Sequence, residues 1–443
     1  MDLDSYKRNI CKIIDENKEE LISIGEKILK NPELGFKEGE TAKLIKETLE
    51  KIGVKYKDKL ALTGIKANIP GRKKSPNIAI LGEMDAVISP NHPFADKKTG
   101  AAHACGHNTM ITNLLGVGWG LINSGVMKDL EGSVTLFAVP AEEYIEIEYR
   151  KKLREEGKIA FLGGKQELIR LGEFDDIDMA MMFHPAPNTP KRVIYPNISM
   201  NGFIGKMVRY IGKSSHAGAA PEKGINALSA AMLGLQAINS LRETFKDDDC
   251  IRVHPIITKG GEGVNVVPSE VKIESYVRAK SMDILIETNK KINRALEAGA
   301  MAMGCNIEID DLPGYMPIIP NDIMTKIFIN NATKIVGKEN VYEMHIHNTG
   351  SSDMGDVTQI MPGIHPMTAG FEGELHSKDF KIIDKEMAYI IPAKIIAMTI
   401  IDLLSNNADL AKQVLKEKKK SKEKYLNEIN NMAKTTKKEY MKI

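Results

Sequence analysis

The chain has 443 residues, of which 42% are hydrophobic, and a formal net charge of only +2. That length and apolar content suit two or three domains with sizeable cores. The near-neutral balance excludes a globally basic nucleic-acid binder, and neither nucleic acid nor membrane is expected as a partner. The opening Met1-Asp2-Leu3-Asp4-Ser5 lacks an apolar signal core. The four cysteines, at 11, 105, 250 and 305, are too scattered for a disulfide framework. A reduced, cytoplasmic setting is therefore expected.

Ile10, Ile13, Ile14, Leu21, Ile22, Ile24 and Ile28 recur near a 3.6-residue period and predict a helix over 6–30. A second helix is expected at 40–52. Asn77 to Met84 reads as a buried strand, His107 to Asn123 as a helix, and Ser133 to Val139 as another buried strand. Asp178 to Phe183 gives a third, which His184 ends. Residues 200–311 alternate differently: strand 203–211, helix 222–243, strands 252–259 and 269–279, helix 283–303 and strand 305–310. That β-α-β-β-α-β order is ferredoxin-like, and it interrupts an α/β unit that resumes after Pro313-Gly314. Ile390 to Leu404 is broken by Lys394 and Asp402 and is too short to span a bilayer, so it reads as a core helix. From 407 onward, eleven lysines face five acids, and sparse apolar residues suggest a solvated helix. The boundaries expected are 1–199 and 313–406 for a two-part α/β domain, 200–312 for the insert and 407–443 for a lysine-rich extension.

The chemistry-bearing residues fall mostly at strand ends and loops, where α/β sheets build their sites. Cys105-Gly106-His107 places a thiol and an imidazole two apart at a helix start, types that suit zinc and similar divalent ions. A helix N-terminus lowers a thiol pKa and so favours a ligating thiolate. The bland alternative is a buried Cys beside a helix-capping His. Glu142-Glu143 follows an apolar strand. Hydrolysis needs one carboxylate to hold a metal and another to take a proton from the attacking water, and adjacent residues on a turn can divide those jobs. A solvated acidic loop is the alternative, since Glu146 and Glu148 follow. His184 before Pro185, and His376 in Leu375-His376-Ser377, could each be an ordinary polar residue or one of several ligands of a two-metal site. His216, among small residues in the insert, could reach into a cleft or simply sit at a helix start. Asn265 and Arg278 lie on the same insert and could bind a carboxylate, Arg by its planar fork. Asp85 could orient a ligating imidazole. The remaining histidines, 92, 103, 254, 345, 347 and 365, fit no ligand arrangement.

Taken in order, His-Ala-Cys-Gly-His (103–107), Pro-Ala-Glu-Glu (140–143), Ser-His-Ala (215–217) and Leu-His-Ser (375–377) resemble the peptidase M20 family of metallohydrolases. Within it, they resemble the amidohydrolase branch of hippurate, auxin-conjugate and aminobenzoyl-glutamate hydrolases. The similarity runs from Asn31-Pro32-Glu33-Leu34-Gly35-Phe36 to Ser377, and Asn108 and the segment 350–356 look most like the aminobenzoyl-glutamate side. The resemblance implies a mixed-sheet α/β metallopeptidase catalytic domain with an inserted α+β ferredoxin-like lid and dimerisation domain. It implies two divalent ions, zinc, manganese, cobalt or nickel, held by Cys105, His107, Glu143, His184 and His376. It makes Glu142 the general base, and later the acid that protonates the leaving amine. His216 stabilises the oxyanion, often from the partner subunit of a homodimer, and Asn265 and Arg278 bind substrate.

Two departures stand out. Glu83-Met84-Asp85 replaces Asp-Met-Asp, and a charged insertion near 144–165 follows Glu143 where a Gly-rich run is usual. The expected activity is hydrolysis of an N-acyl amino acid or related small amide. The rivals are a dipeptidase or carboxypeptidase of the same fold, a non-catalytic metal-binding or redox-responsive protein switched at Cys105, and an assembly subunit.

Overall fold

A computed structural model describes residues 3–441 and divides the chain into two compact units. The first comprises the chain up to Ser199 with Ile318–His347 and Asp356–Lys422; the second comprises Met200–Pro317, Asn348–Gly355 and the chain from Glu423.

The first unit is built on a six-stranded sheet in the order Tyr56–Leu60, Gly64–Pro70, Ser133–Val139, Asn77–Glu83, Met179–Met181 and Gly363–Ile364. Ser133–Val139 and Asn77–Glu83 pair in parallel at the centre and are buried at every position. Their unbroken apolar runs are what a strand covered on both faces requires. Gly64–Pro70 joins antiparallel, so the sheet is mixed. The helix His107–Ser124 is buried continuously from its start to Leu121, and Ile391–Leu404 is buried almost throughout. The apolar stretch Lys385–Leu404 is long enough to cross a membrane by length and composition, yet 94% of its window lies inside the structure, as a core helix does.

The single helix expected over 6–30 is two, Leu3–Glu16 and Lys18–Lys30. The break falls at Asn17, whose side-chain amide donates to the Ile13 carbonyl at 2.8 Å. A short amide competing for backbone groups disfavours a helix interior, and apolar periodicity alone does not register it.

The second unit follows the expected β-α-β-β-α-β order: Gly202–Ile211, Ala227–Leu241, Arg252–Lys259, Glu270–Ala279, Met282–Met303 and Asn306–Pro313. Asn226 caps the first helix through Leu228 and Ser229 N–H, and Ser281 caps the second. Glu270–Ala279 alternates buried with less buried positions, as a strand with one helix-covered face does. The lysine-rich tail departs from a solvated helix. Lys434–Lys438 pairs antiparallel with Asn306–Pro313 as a fifth strand, and Tyr425 and Ile429 on the preceding helix Lys422–Asn430 are fully buried. Threonine is a good strand former and lysine is common on edge strands, so the run is compatible with pairing there.

Candidate metal centre

The first unit gathers its reactive side chains at the carboxyl ends of the central strands. Glu83 ends Asn77–Glu83, Glu142 and Glu143 follow Ser133–Val139, and His184 follows Met179–Met181. Between Cys105 and His107, Gly106 has φ 79° and starts the helix. A Cβ there would lie 2.6 Å from Pro185 Cγ, so only glycine lets this turn approach the His184-Pro185 strand end.

That approach sets the ligand geometry. Cys105 Sγ is 3.4 Å from His184 Nε2. His107 Nδ1 is 2.8 Å from the Asp85 carbonyl oxygen, so the neutral ring donates from Nδ1 and leaves its lone pair on Nε2. Asp85 orients His107 mainly through its backbone, while its Oδ2 accepts the Glu143 N–H at 2.9 Å. His376, at φ 62°, donates its backbone N–H to Ala104 and brings Nε2 to 3.1 Å from Glu143 Oε1. Cys105, His107 and His184 place one ligand atom each within 4.8 Å of one another; so do Cys105, Glu143 and His376, and so do Glu83, His107 and Glu142. The structure thus brings together every ligand candidate read from sequence, with Cys105 and His107 each in two sets.

The donor set fits divalent metal. Glu83 Oε2 and His107 Nε2 are buried and make no hydrogen bond, although buried polar atoms are ordinarily paired. Burial opposes charge on Glu143, but His376 and His107 beside it outweigh that and hold its carboxyl down at about 2. Burial likewise opposes charge on His107, while Glu83 and Asp85 raise it to about 9. Cys105 contradicts the helix-terminus expectation. Burial, then the Glu143 and Glu142 charges, push its thiol well above the ordinary value. One helix start is outweighed by a site rich in carboxylates, so a thiolate here calls for a cation.

The charged segment after Glu143 is not a solvated loop. It forms the helix Ile147–Glu155, turns back, and starts Gly164–Arg170. Arg150 is fully buried. Its guanidinium donates to the Leu162 carbonyl at 2.7 Å, to the Ala141 carbonyl at 3.4 Å and to the Glu143 carbonyl, and it lies 5.3 Å from the Phe36 ring centre. Ala141 sits at φ 53°, a conformation costly for a residue with a Cβ. Glu38 Oε1 accepts its N–H at 2.8 Å. Gly164 packs so tightly that a Cβ would meet the Pro140 carbonyl at 1.7 Å. The strained turn carrying both carboxylates is therefore held by Arg150, Glu38 and Gly164.

Sequence reading missed Glu83 as a participant, along with Lys165, Arg150 and Glu38. Lys165 Nζ is 2.6 Å from Glu83 Oε1, with both side chains fully buried. Glu83 was visible only as a departure from a pattern, Arg150 was masked by a charged stretch that reads as solvated, and Lys165 meets its partner only across the fold. His365 also belongs nearby: its ring stands edge-on to His184 at 5.6 Å, and burial lowers it to about 3.

In the second unit, His216 and Asn265 share a loop pair. His216 bridges to Val266, and Ala217 N–H donates to the Asn265 carbonyl at 3.0 Å. His216 Nδ1 accepts from Gly218 and Ala219 N–H at 3.2 and 3.0 Å, which leaves the proton of the neutral ring on Nε2. Arg278 lies over the Tyr276 and Phe203 rings at 5.5 and 5.7 Å.

Comparison with known proteins gives the family and the fold. The family model for peptidase family M20/M25/M40 matches residues 79–398. The chain is 30% identical over 425 residues to a mouse (Mus musculus) protein named Xaa-Arg dipeptidase, covering 91% of this chain and 90% of that protein. It is 27% identical over 390 residues to an Arabidopsis thaliana IAA-amino acid hydrolase ILR1-like 4, covering 83% and 82%. A crystal structure from Bacillus subtilis, described as a dinuclear metal binding peptidase from the M20 family, superposes with a TM-score of 0.65 at 22% identity, covering 88% of this chain and 99% of that one. The chain belongs to the peptidase family M20/M25/M40.

Proposed function

We propose that this M20 hydrolase cleaves the amide bond of a small N-acyl amino acid or related compound. The observation that carries the reading is the pinned Glu142-Glu143 turn beside Cys105, His107, His184 and His376. In it, Cys105, His107, Glu143, His184 and His376 hold two divalent ions; zinc, manganese, cobalt and nickel all suit a thiolate, imidazole and carboxylate set. When bound, such ions supply a Lewis acid and lower the pKa of water. Glu142 takes the proton from the attacking water and returns it to the leaving amine. His216, with its Nε2–H presented from an exposed loop, donates to the developing oxyanion. Asn265 and Arg278 bind the carboxylate of the amino-acid half. Dimerisation through residues 200–312 and a cytoplasmic location belong to the same proposal.

A second reading, dipeptidase action, is favoured by the extent of similarity to the Xaa-Arg dipeptidase of mouse. One experiment addresses both. Metal content is measured together with amino-acid release from N-acyl amino acids, aminobenzoyl-glutamate and dipeptides ending in arginine, with and without chelator. Release that chelator abolishes supports hydrolysis, and the preferred substrate chooses between the readings. A metal-loaded protein that releases nothing from any of them would sink both.

A further inference from the structure

Glu83 presents two oxygens in different circumstances. Oε1 is held by Lys165 Nζ at 2.6 Å. Oε2 lies 3.1 Å from His107 Nε2, yet neither atom makes a hydrogen bond. With Nδ1 turned onto the Asp85 carbonyl, Nε2 is the ring atom left to face Glu83. Buried polar atoms are ordinarily paired, so two left unbonded at that separation mark a place for a group from outside the chain. Two donors bound at about 2.1 Å to one ion, with ordinary tetrahedral or octahedral angles, stand roughly 3.0–3.4 Å apart.

We infer that Glu83 is a metal ligand in its own right, binding through Oε2 to the ion that His107 holds, with Lys165 as the positioning residue that fixes it in one-oxygen contact. Glu83, His107 and Glu142 already bring their ligand atoms within 4.8 Å of one another. The inference rests on the proposed metal-dependent reading and deepens it. An added carboxylate makes that ion's environment harder, so manganese should hold there better than in a shell of thiolate and imidazole alone.

The test begins with calorimetric titration of metal-free full-length protein with manganese and with zinc. Wild-type protein should take up two ions. Glu83→Gln should retain one and bind the other on the order of 10²-fold more weakly, beyond the roughly 10–100-fold cost of disturbing a supporting group. Because Glu83→Gln leaves the Lys165 ammonium buried without its carboxylate, the double variant Glu83→Gln/Lys165→Met is titrated beside it, and the same loss is expected. Anomalous diffraction from manganese-loaded wild-type crystals gives an answer independent of folding: an ion within about 2.3 Å of Glu83 Oε2 is expected. Two ions bound with unchanged affinity in both variants, or no ion near Oε2, would overturn the inference and leave the hydrolase reading standing. A wild-type protein that takes up neither metal would overturn both.

Discussion

Each unit buries a lysine–carboxylate pair, and the two pairs are finished differently. In the second unit Lys206 bonds Asp311 Oδ1, and Asp311 Oδ2 accepts from Asn289 and Asn293 at 2.8 Å each, so both carboxylate oxygens are taken. In the first unit Lys165 holds Glu83 Oε1, and Oε2 is left without a hydrogen bond. A buried charge is costly unless paired and hydrogen-bonded. The closed pair therefore reads as structure, and the open one as a place prepared for something outside the chain. Burial and ion pairing alone do not separate them; the state of the second oxygen does.

The largest effect is expected where the open site meets the reaction. Glu142→Gln should lower kcat by at least about 10²–10⁴-fold, with two ions still present by elemental analysis. Full turnover in metal-replete protein would remove Glu142 from its role. Breaking the two lysine pairs then sharpens the contrast. Lys206→Met leaves Asp311 buried without its cation and should cost about 3–5 kcal/mol, and added metal should not restore it. Lys165→Met should destabilise the chelated protein comparably, but a divalent ion at Glu83 offsets the lost ammonium. Thermal melts with and without manganese should thus converge on wild type for Lys165→Met alone. Equal rescue of both variants, or of neither, would break the distinction.

The contrast also explains what sequence could and could not disclose. The ferredoxin-like order was legible because each element carries its own periodicity and the helices their own caps. The ligand candidates were legible because Cys105, His107, Glu142-Glu143, His184 and His376 are unusual residue types at strand ends. Arg150 was not, because its neighbours Glu146, Glu148, Lys151, Lys152 and Arg154 make a stretch that reads as solvent-facing, and Lys165, after Gly163-Gly164, meets Glu83 only across the fold. Only the fold shows that Arg150 turns inward onto three carbonyls. The fifth strand at 434–438 was hidden in the same way, since pairing with a distant edge leaves no local signal in a run of lysine and threonine. The Asn17 break was available from residue chemistry but outvoted by the apolar period.

Arg150 offers the next test. Arg150→Lys keeps the charge but loses the planar fork that reaches three carbonyls, and each buried acceptor left unpaired costs about 1–3 kcal/mol. The expected result is a kcat lowered by about 10–100-fold with KM and metal content nearly unchanged, because the carboxylate turn drifts while the remaining ligands stay. An equal fall in metal content would make Arg150 merely part of the core.

Proton competition gives a smaller, graded effect. In metal-free protein His107 is raised to about 9, so it carries a proton at neutral pH that a metal must displace. Metal affinity should climb by about tenfold per pH unit toward pH 9, with at least one proton released per ion in calorimetry across buffers. The same shift acts oppositely on the metal-free fold. A His raised above its unfolded value stabilises below about pH 6.5, and that contribution is lost as pH rises through about 9. Affinity independent of pH between 6 and 9 would show that no such proton is held.

The smallest effect belongs to a third kind of pair. Lys437 on the fifth strand reaches Glu308 at 2.7 Å, but its side chain is 64% exposed. Water already solvates both charges, so little is gained by pairing them and salt screens what remains. Lys437→Ala should shift the melting temperature by no more than about a degree or two and leave metal binding untouched. The strand itself stays attached through its backbone pairing, the Thr435–Asp310 bond at 2.7 Å and the Tyr440–Glu297 bond at 2.6 Å. A loss as large as that of Lys206→Met would mean that exposure does not rank these pairs, and would undercut the inference drawn from the unfinished one at Glu83.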